Sequence, residues 1–236
     1  MEYTASLAIP ILALSIVALG AAFYFFTKEK VTFSLGLIIF AGFLLRLHCA
    51  LDIDLHQWDE RFHALVAKNM IDSPLEPKLY SDALLEYDYK NWGKNYIWLH
   101  KQPLPFWVMG LSMHIFGINA FFFRLPSLLL STILIGFTFL IGKKFYGEKI
   151  GLLAAFFHTI NGLIIEIASG RVATDHVDTF FFFFIELSIL LIVLHRERKS
   201  TLLLLGIGVA TGMAILSKWL PGLISIPIFM VLNFNS

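Results

Sequence analysis

Residues 5–26 read ASLAIPILALSIVALGAAFYFF, an apolar stretch without one charged side chain. A bilayer core about 30 Å thick takes roughly 20 such residues as a helix, so the stretch predicts a first membrane span. The only acidic or basic side chain before it is Glu2, while Lys28 and Lys30 follow. That order is the reverse of the basic start of a cleaved signal. Comparable runs at 31–50, 125–142, 150–168, 177–194, 202–217 and 220–234 bring the expected count to about seven spans. The whole composition points the same way. Of 236 residues, 58% are hydrophobic and 15% charged, against about 25% charged in ordinary soluble domains, and the mean hydropathy is +0.76. The predicted fold is all-α, a polytopic transmembrane helical bundle for which the lipid bilayer is the solvent. A net charge of +1 excludes the strongly basic footprint of a nucleic-acid binder. Cys49 is the single cysteine, so no internal disulfide holds a loop.

Orientation follows from the short connections, because Lys and Arg accumulate on the cytoplasmic side. The loops at 27–30, 143–149 and 195–200 carry Lys28, Lys30, Lys143, Lys144, Lys149, Arg196, Arg198 and Lys199. The opposite loops, 169–176 and 218–219, carry only Arg171 and Lys218. The segment 51–124 is therefore expected outside the cytoplasm, as an extracytoplasmic loop of interfacial helices between spans two and three. Within it, Trp58, Phe62, Leu65, Val66 and Met70 fall near helical spacing, which predicts an amphipathic helix on the membrane surface. Residues 71–98, with Pro74, Pro77 and Gly93 among mixed charges, read as an irregular loop with short helical turns. The apolar run 103–118, broken by Pro103, Pro105, Gly110 and Gly117, reads as a helix lying in the interface or entering it partway. Alternation then gathers Asp59, Lys101, Arg124, Arg171, Asp175 and Lys218 on one side of the membrane.

Each of these residues has a bland reading beside a chemical one. Asp59 and Glu60 suit a helix N-terminus through its dipole, and a carboxylate shielded at a membrane surface can also act as general base. Lys101 and Arg124 sit at apolar boundaries, where a cation can snorkel to water or hold a lipid phosphate. Asp175 and Asp178, three apart, share a helical face above a phenylalanine run, with Arg171 as the nearest cation in sequence. Glu166 and Glu186 lie inside apolar runs and are expected to face the bundle or carry a proton. His56, Asp59, Glu60 and His63 are the only grouping that suggests a divalent cation. No phosphate-binding Gly-rich loop, HExxH or nucleophile elbow is present.

Taken in order, Trp58-Asp59-Glu60-Arg61-Phe62, Lys101-Gln102-Pro103-Leu104, Phe123-Arg124-Leu125-Pro126-Ser127, Arg171 to Asp175 with Thr179-Phe180-Phe181, and Leu216-Ser217-Lys218 resemble the GT-C glycosyltransferases. More narrowly they resemble the group of dolichyl-phosphate-mannose protein mannosyltransferases and lipid A aminoarabinose transferases. The similarity covers about residues 35–230, and its specificity lies in the ordered set. It implies a membrane enzyme that moves a sugar, with inversion, from a polyprenyl-phosphate donor to a glycolipid, protein or polymer acceptor outside the cytoplasm. It implies Asp59 as the catalytic carboxylate with Glu60 beside it, Asp175 as the second acidic position, and Lys101 on the donor phosphate with Arg124 or Arg171 as helpers. Lys218, Asp178 and His63 are further candidates. The transfer needs no cofactor, and a divalent cation is an additional candidate only. Gln102 stands where the family usually has Pro, and Trp219-Leu220-Pro221 replaces a commoner Gly-Pro after the lysine. The resemblance makes residues 1–236 a single GT-C-like membrane domain, an N-terminal portion of a longer protein. Short cytoplasmic loops and the absence of cysteine pairs suit a bacterial plasma membrane. A transporter or flippase, or a noncatalytic binder of polyprenyl-linked lipids, is the alternative reading.

Overall fold

The computed structural model describes residues 2–83, 86–171 and 176–233. Ten α-helices follow in order among them: α1 (Glu2–Thr27), α2 (Val31–Ala50), α3 (Asp59–Asn69), α4 (Pro103–Phe116), α5 (Ala120–Tyr146), α6 (Glu148–Ile160), α7 (Gly162–Ala168), α8 (His176–Arg198), α9 (Thr201–Lys218) and α10 (Ser225–Asn233). No strand occurs among the described residues beyond one isolated antiparallel bridge, Lys78 to Ile97. α1, α2, α5, α8 and α9 are each long and apolar enough to cross a bilayer, and α6 with α7 makes a sixth crossing if the bent pair is one span. The chain is an integral membrane protein.

The expected seven spans thus become five, or six with the bent pair. The run 150–168 breaks at Asn161, whose side chain accepts from Ile164 N–H at 3.1 Å and starts α7 at 57° to α6. The run 220–234 divides where Pro221 and Gly222 force a 3-10 turn, Leu220–Ile224, before the short α10. Both breaks come from residues that favour caps and turns over helix interiors.

α1 packs on α2, while α5 lies against α2, α6 and α8. Gly142 and Gly151 let α5 and α6 approach until a Cβ on Gly151 would stand 2.7 Å from the Phe139 carbonyl, the small-residue contact common between membrane helices. Their shared core is apolar, built from Ile38, Ile135, Phe139, Leu152 and Ala155.

The break in α6–α7 strands the carbonyls of the last α6 turn inside the bundle, where no water can reach them. Arg46 of α2 caps them. Its guanidinium, 1% exposed, reaches the His158 and Thr159 carbonyls at 3.5 Å, the Gly42 carbonyl at 3.0 Å and Ser131 Oγ at 2.7 Å. Beside it, Thr138 Oγ1 bridges His158 Nδ1 at 2.8 Å and Glu186 at 3.1 Å, so Glu186 faces the bundle. Glu166 is exposed instead, because the break places it on the short half-helix α7.

A second core lies under the segment between α2 and α5. Val66 and Ala67 of α3 and Met70 just after it pack with Phe106 and Met109 of α4 and with Phe123 and Phe180 of the spans. The irregular loop joins this core through buried Leu79 and Trp98, whose amides bond the Tyr96 and Pro77 carbonyls. The site residues therefore rest on a packed platform.

Candidate active site at the end of the bundle

α3 begins with Asp59 and Glu60, where negative charge is favoured by the helix dipole. Trp58 before it holds a left-handed φ of 70°, and Trp219 after Lys218 holds 58°. Non-glycine residues in that region cost about 1–3 kcal/mol and persist where surrounding contacts fix them.

Glu60 turns inward and is 2% exposed. Arg124, in the second turn of α5 and 0% exposed, grips it with two bonds, Nε to Oε1 at 2.6 Å and Nη2 to Oε2 at 3.0 Å. The same guanidinium donates to the carbonyls of Ala50 at 3.3 Å, Asp54 at 2.8 Å and Asp52. Every nitrogen of Arg124 is thus spent inside the protein. His56 completes the cage, giving its backbone N–H to Glu60 Oε2 at 2.5 Å and placing Nδ1 at 2.6 Å from that oxygen. His176, the first residue of α8, brings Nε2 within 3.4 Å of Oε1, at ion-pair distance but out of line for a hydrogen bond. Burial alone would push the Glu60 carboxyl up. His176 and Arg124 outweigh it and hold the group at about 2, below the ordinary 4.5.

Three further ion pairs lie at this end of the bundle. Arg171, following α7, reaches Asp52 at 3.3 Å, and His56 Nε2 lies 3.2 Å from the same carboxylate. Burial is the largest single influence on Asp52 and raises it, but His56, Arg171 and Arg124 together outweigh it and keep it below the usual range. Gly170 makes room for His176 beside Glu60: its φ is +70°, and a Cβ there would meet the His176 ring at 2.2 Å. Lys218, at the end of α9, pairs with Asp178 in the first turn of α8 and lies 5.8 Å from the Phe181 ring centroid.

Of the residues singled out in sequence, Glu60, Arg124 and Arg171 converge on one cluster, and Asp178 meets Lys218. Asp59 is half-buried at the start of α3, and Lys101 is half-buried before α4, whose entry is set by extended Gln102 and by Pro103. His63 is buried against the rings of Trp98 and Phe106, at 5.5 and 5.3 Å, and faces the aromatic core. Asp175 lies outside the described residues. Among those residues no group of three or more His, Cys, Asp or Glu side chains is arranged to hold a metal ion. Sequence reasoning missed Asp52, His176 and Arg46. The signal for Arg46 was available, since a guanidinium within an apolar run must find internal acceptors.

The architecture is that of a polytopic membrane protein with a buried carboxylate–guanidinium cluster at one end of its bundle. Residues 100–236, more than half of the chain, match the family described as dolichyl-phosphate-mannose-protein mannosyltransferase. The chain belongs to that family. An uncharacterized protein of Aquifex aeolicus (strain VF5) is 30% identical over 162 residues, which cover 68% of this chain and 29% of the relative. The fold is similar to that of ArnT from Cupriavidus metallidurans, whose apo crystal structure superposes with a TM-score of 0.53 at 15% identity, covering 79% of this chain and 38% of ArnT. The chain thus spans well under half the length of either protein.

Proposed function

We propose that this chain is a membrane domain, residues 1–236, of a glycosyltransferase that moves a sugar from a polyprenyl-phosphate donor to an extracytoplasmic acceptor. Family membership supports the reaction class, and the cluster of carboxylates and cations at one end of the bundle is the observation that carries the assignment. Asp59 is the general base. It takes the proton of the acceptor hydroxyl as the new bond to the anomeric carbon forms on one face and the bond to the phosphate breaks on the other, which inverts the centre. Polyprenyl phosphate leaves with the electron pair, so fixed positive charge near the leaving oxygen lowers the barrier. Lys101 supplies that charge, with Arg171 as helper and Asp175 as the second acidic group.

In this reading Glu60 and Arg124 are positioning residues. A guanidinium whose donors are all engaged by Glu60 and three carbonyls fixes the 50–56 connection and the start of α3, and so fixes Asp59. Lys218 with Asp178 ties α9 to α8 below the same surface.

The test is release of free polyprenyl phosphate from labelled polyprenyl-phosphate sugars in membranes expressing the intact gene. Wild type is expected to turn the donor over. Asp59→Asn and Lys101→Ala are each expected to lose about 10²–10⁴-fold, the range for a general base or an electrostatic donor. Equal turnover by all three proteins, each present and folded, overturns the assignment and brings transport or simple lipid binding forward.

A further inference from the structure

The outer face of α3 carries a different chemistry from its inner one. Glu60, His63 and Ala67 point into the protein, whereas Arg61, Leu65 and Lys68 recur at spacings of four and three on the exposed side. Beside them opens a groove of about 650 Å³. Its floor is apolar, formed by Ala64, Met113 and Phe123, and Leu65 and Ile118 stand at its rim, 37% and 60% exposed.

Two helix ends fix the depth of this groove. One wall is Ile53–Leu55, just beyond Ala50 where span α2 stops, and the other is Ile118–Ala120, where Asn119 caps span α5. Both spans meet the water boundary here, so the groove lies at the level of lipid headgroups, with its apolar floor continuing toward the acyl region. Three charges line it: Arg61, Lys68 and Asp54. Arg61 gives only Nε, to the Leu55 carbonyl at 3.4 Å, and Lys68 makes no ion pair among the described residues. Two cations over an apolar trough at headgroup depth complement a molecule with an anionic head and a hydrocarbon chain. The two stand two turns apart, about 10 Å along the helix, a gap that long Arg and Lys side chains close onto one phosphodiester.

We infer that this groove binds one anionic phospholipid of the surrounding leaflet, its phosphate held between Arg61 and Lys68 and one acyl chain laid along Leu65, Met113 and Phe123. The groove adjoins the Glu60–Arg124 cluster through Asp54, whose carbonyl accepts from Arg124, but its occupancy does not depend on the transfer reaction. Its consequence is mechanical: a lipid seated here braces α3 from outside while Arg124 braces it from inside.

Native mass spectrometry of the intact protein, delipidated in neutral detergent and offered equal concentrations of dioleoyl phosphatidylglycerol and dioleoyl phosphatidylcholine, tests this. The first bound lipid is expected to be phosphatidylglycerol by several-fold, because the two basic residues at the headgroup outweigh the opposing Asp54. Arg61→Gln with Lys68→Gln is expected to bring the ratio near parity, while Arg61→Lys keeps most of the preference. Lys90→Gln, a cation of the outer loop remote from the groove in sequence, is expected to match wild type. A preference that survives the double substitution, or that falls equally in Lys90→Gln, overturns the site. Displacement of the lipid by millimolar inorganic phosphate overturns it too, since a free-anion site needs no acyl trough. Both Arg61 and Lys68 are exposed, so the variants are expected to fold, and unchanged melting in detergent verifies it.

Discussion

Replacing Glu60 by Gln removes one charge from a cage in which Arg124 is fully buried, and its cost can be worked from two directions. Breaking a buried ion pair by deleting one partner leaves the other charge uncompensated, which typically costs about 3–5 kcal/mol. Independently, the carboxyl is held at about 2 against an ordinary 4.5, and at about 1.4 kcal/mol for each pH unit that amounts to about 3 kcal/mol. The two figures agree in size. Because the folded-state value is depressed, this stability is fully present above pH 4.5 and is lost as the pH falls toward 2. Equilibrium unfolding in mild detergent, followed by tryptophan fluorescence, should place Glu60→Gln about 3 kcal/mol below wild type at pH 7. The gap should narrow as the pH is lowered from 5 to 3, since wild type loses the same contribution. Replacing both partners together, Glu60→Leu with Arg124→Met, should recover part of the loss because neither charge is then stranded. A Glu60→Gln protein within 1 kcal/mol of wild type at pH 7, with no change in the gap on acidification, would falsify the view that this pair is the keystone of the site.

Gly170→Ala should destabilise by about 2 kcal/mol or more, since it puts a side chain at φ +70° and drives Cβ into the His176 ring. Detergent melting reads it, and wild-type stability would sink the account. Arg46→Met should lose about 2 kcal/mol by uncapping the His158 and Thr159 carbonyls, with Arg46→Lys intermediate because an ammonium lacks the planar fork; equal stability of all three proteins by the same assay would contradict the capping role. For orientation, a cysteine at exposed Tyr89 in a Cys49→Ala background should react with an impermeant maleimide added to intact cells, and one at exposed Tyr146 should not. The reverse pattern would invert the assigned faces.

Hydrophobic runs and cap residues made most of the bundle legible, because a span is specified locally by length and apolar content. The runs at 31–50 and 177–194 coincide with α2 and α8 to within a few residues. What escaped was the bend at Asn161. The pair Asn161-Gly162 is a cap signal, but reading it as a true break requires knowing that a guanidinium waits on α2 to receive the freed carbonyls. The site shows the same limit. Glu60 and Arg124 each stood out in sequence, yet their pairing across 64 positions is a property of the packed helices, and with it goes the division between buried brace and half-buried Asp59. His56 was visible only as a metal candidate, and the packed chain uses it instead to hold Glu60.

Arg46 also imposes an order on biogenesis. It emerges from the ribosome with α2, long before the α6 carbonyls and Ser131 of α5 exist to receive it. Four residues from the end of its helix, about 6 Å below the surface, it can reach up to water while it waits. The half-helices α6 and α7 have no such escape, because their exposed backbone groups sit in hydrocarbon until a donor arrives. The early helix is therefore the stable guest of the membrane, and the later, broken one is completed only by docking against it.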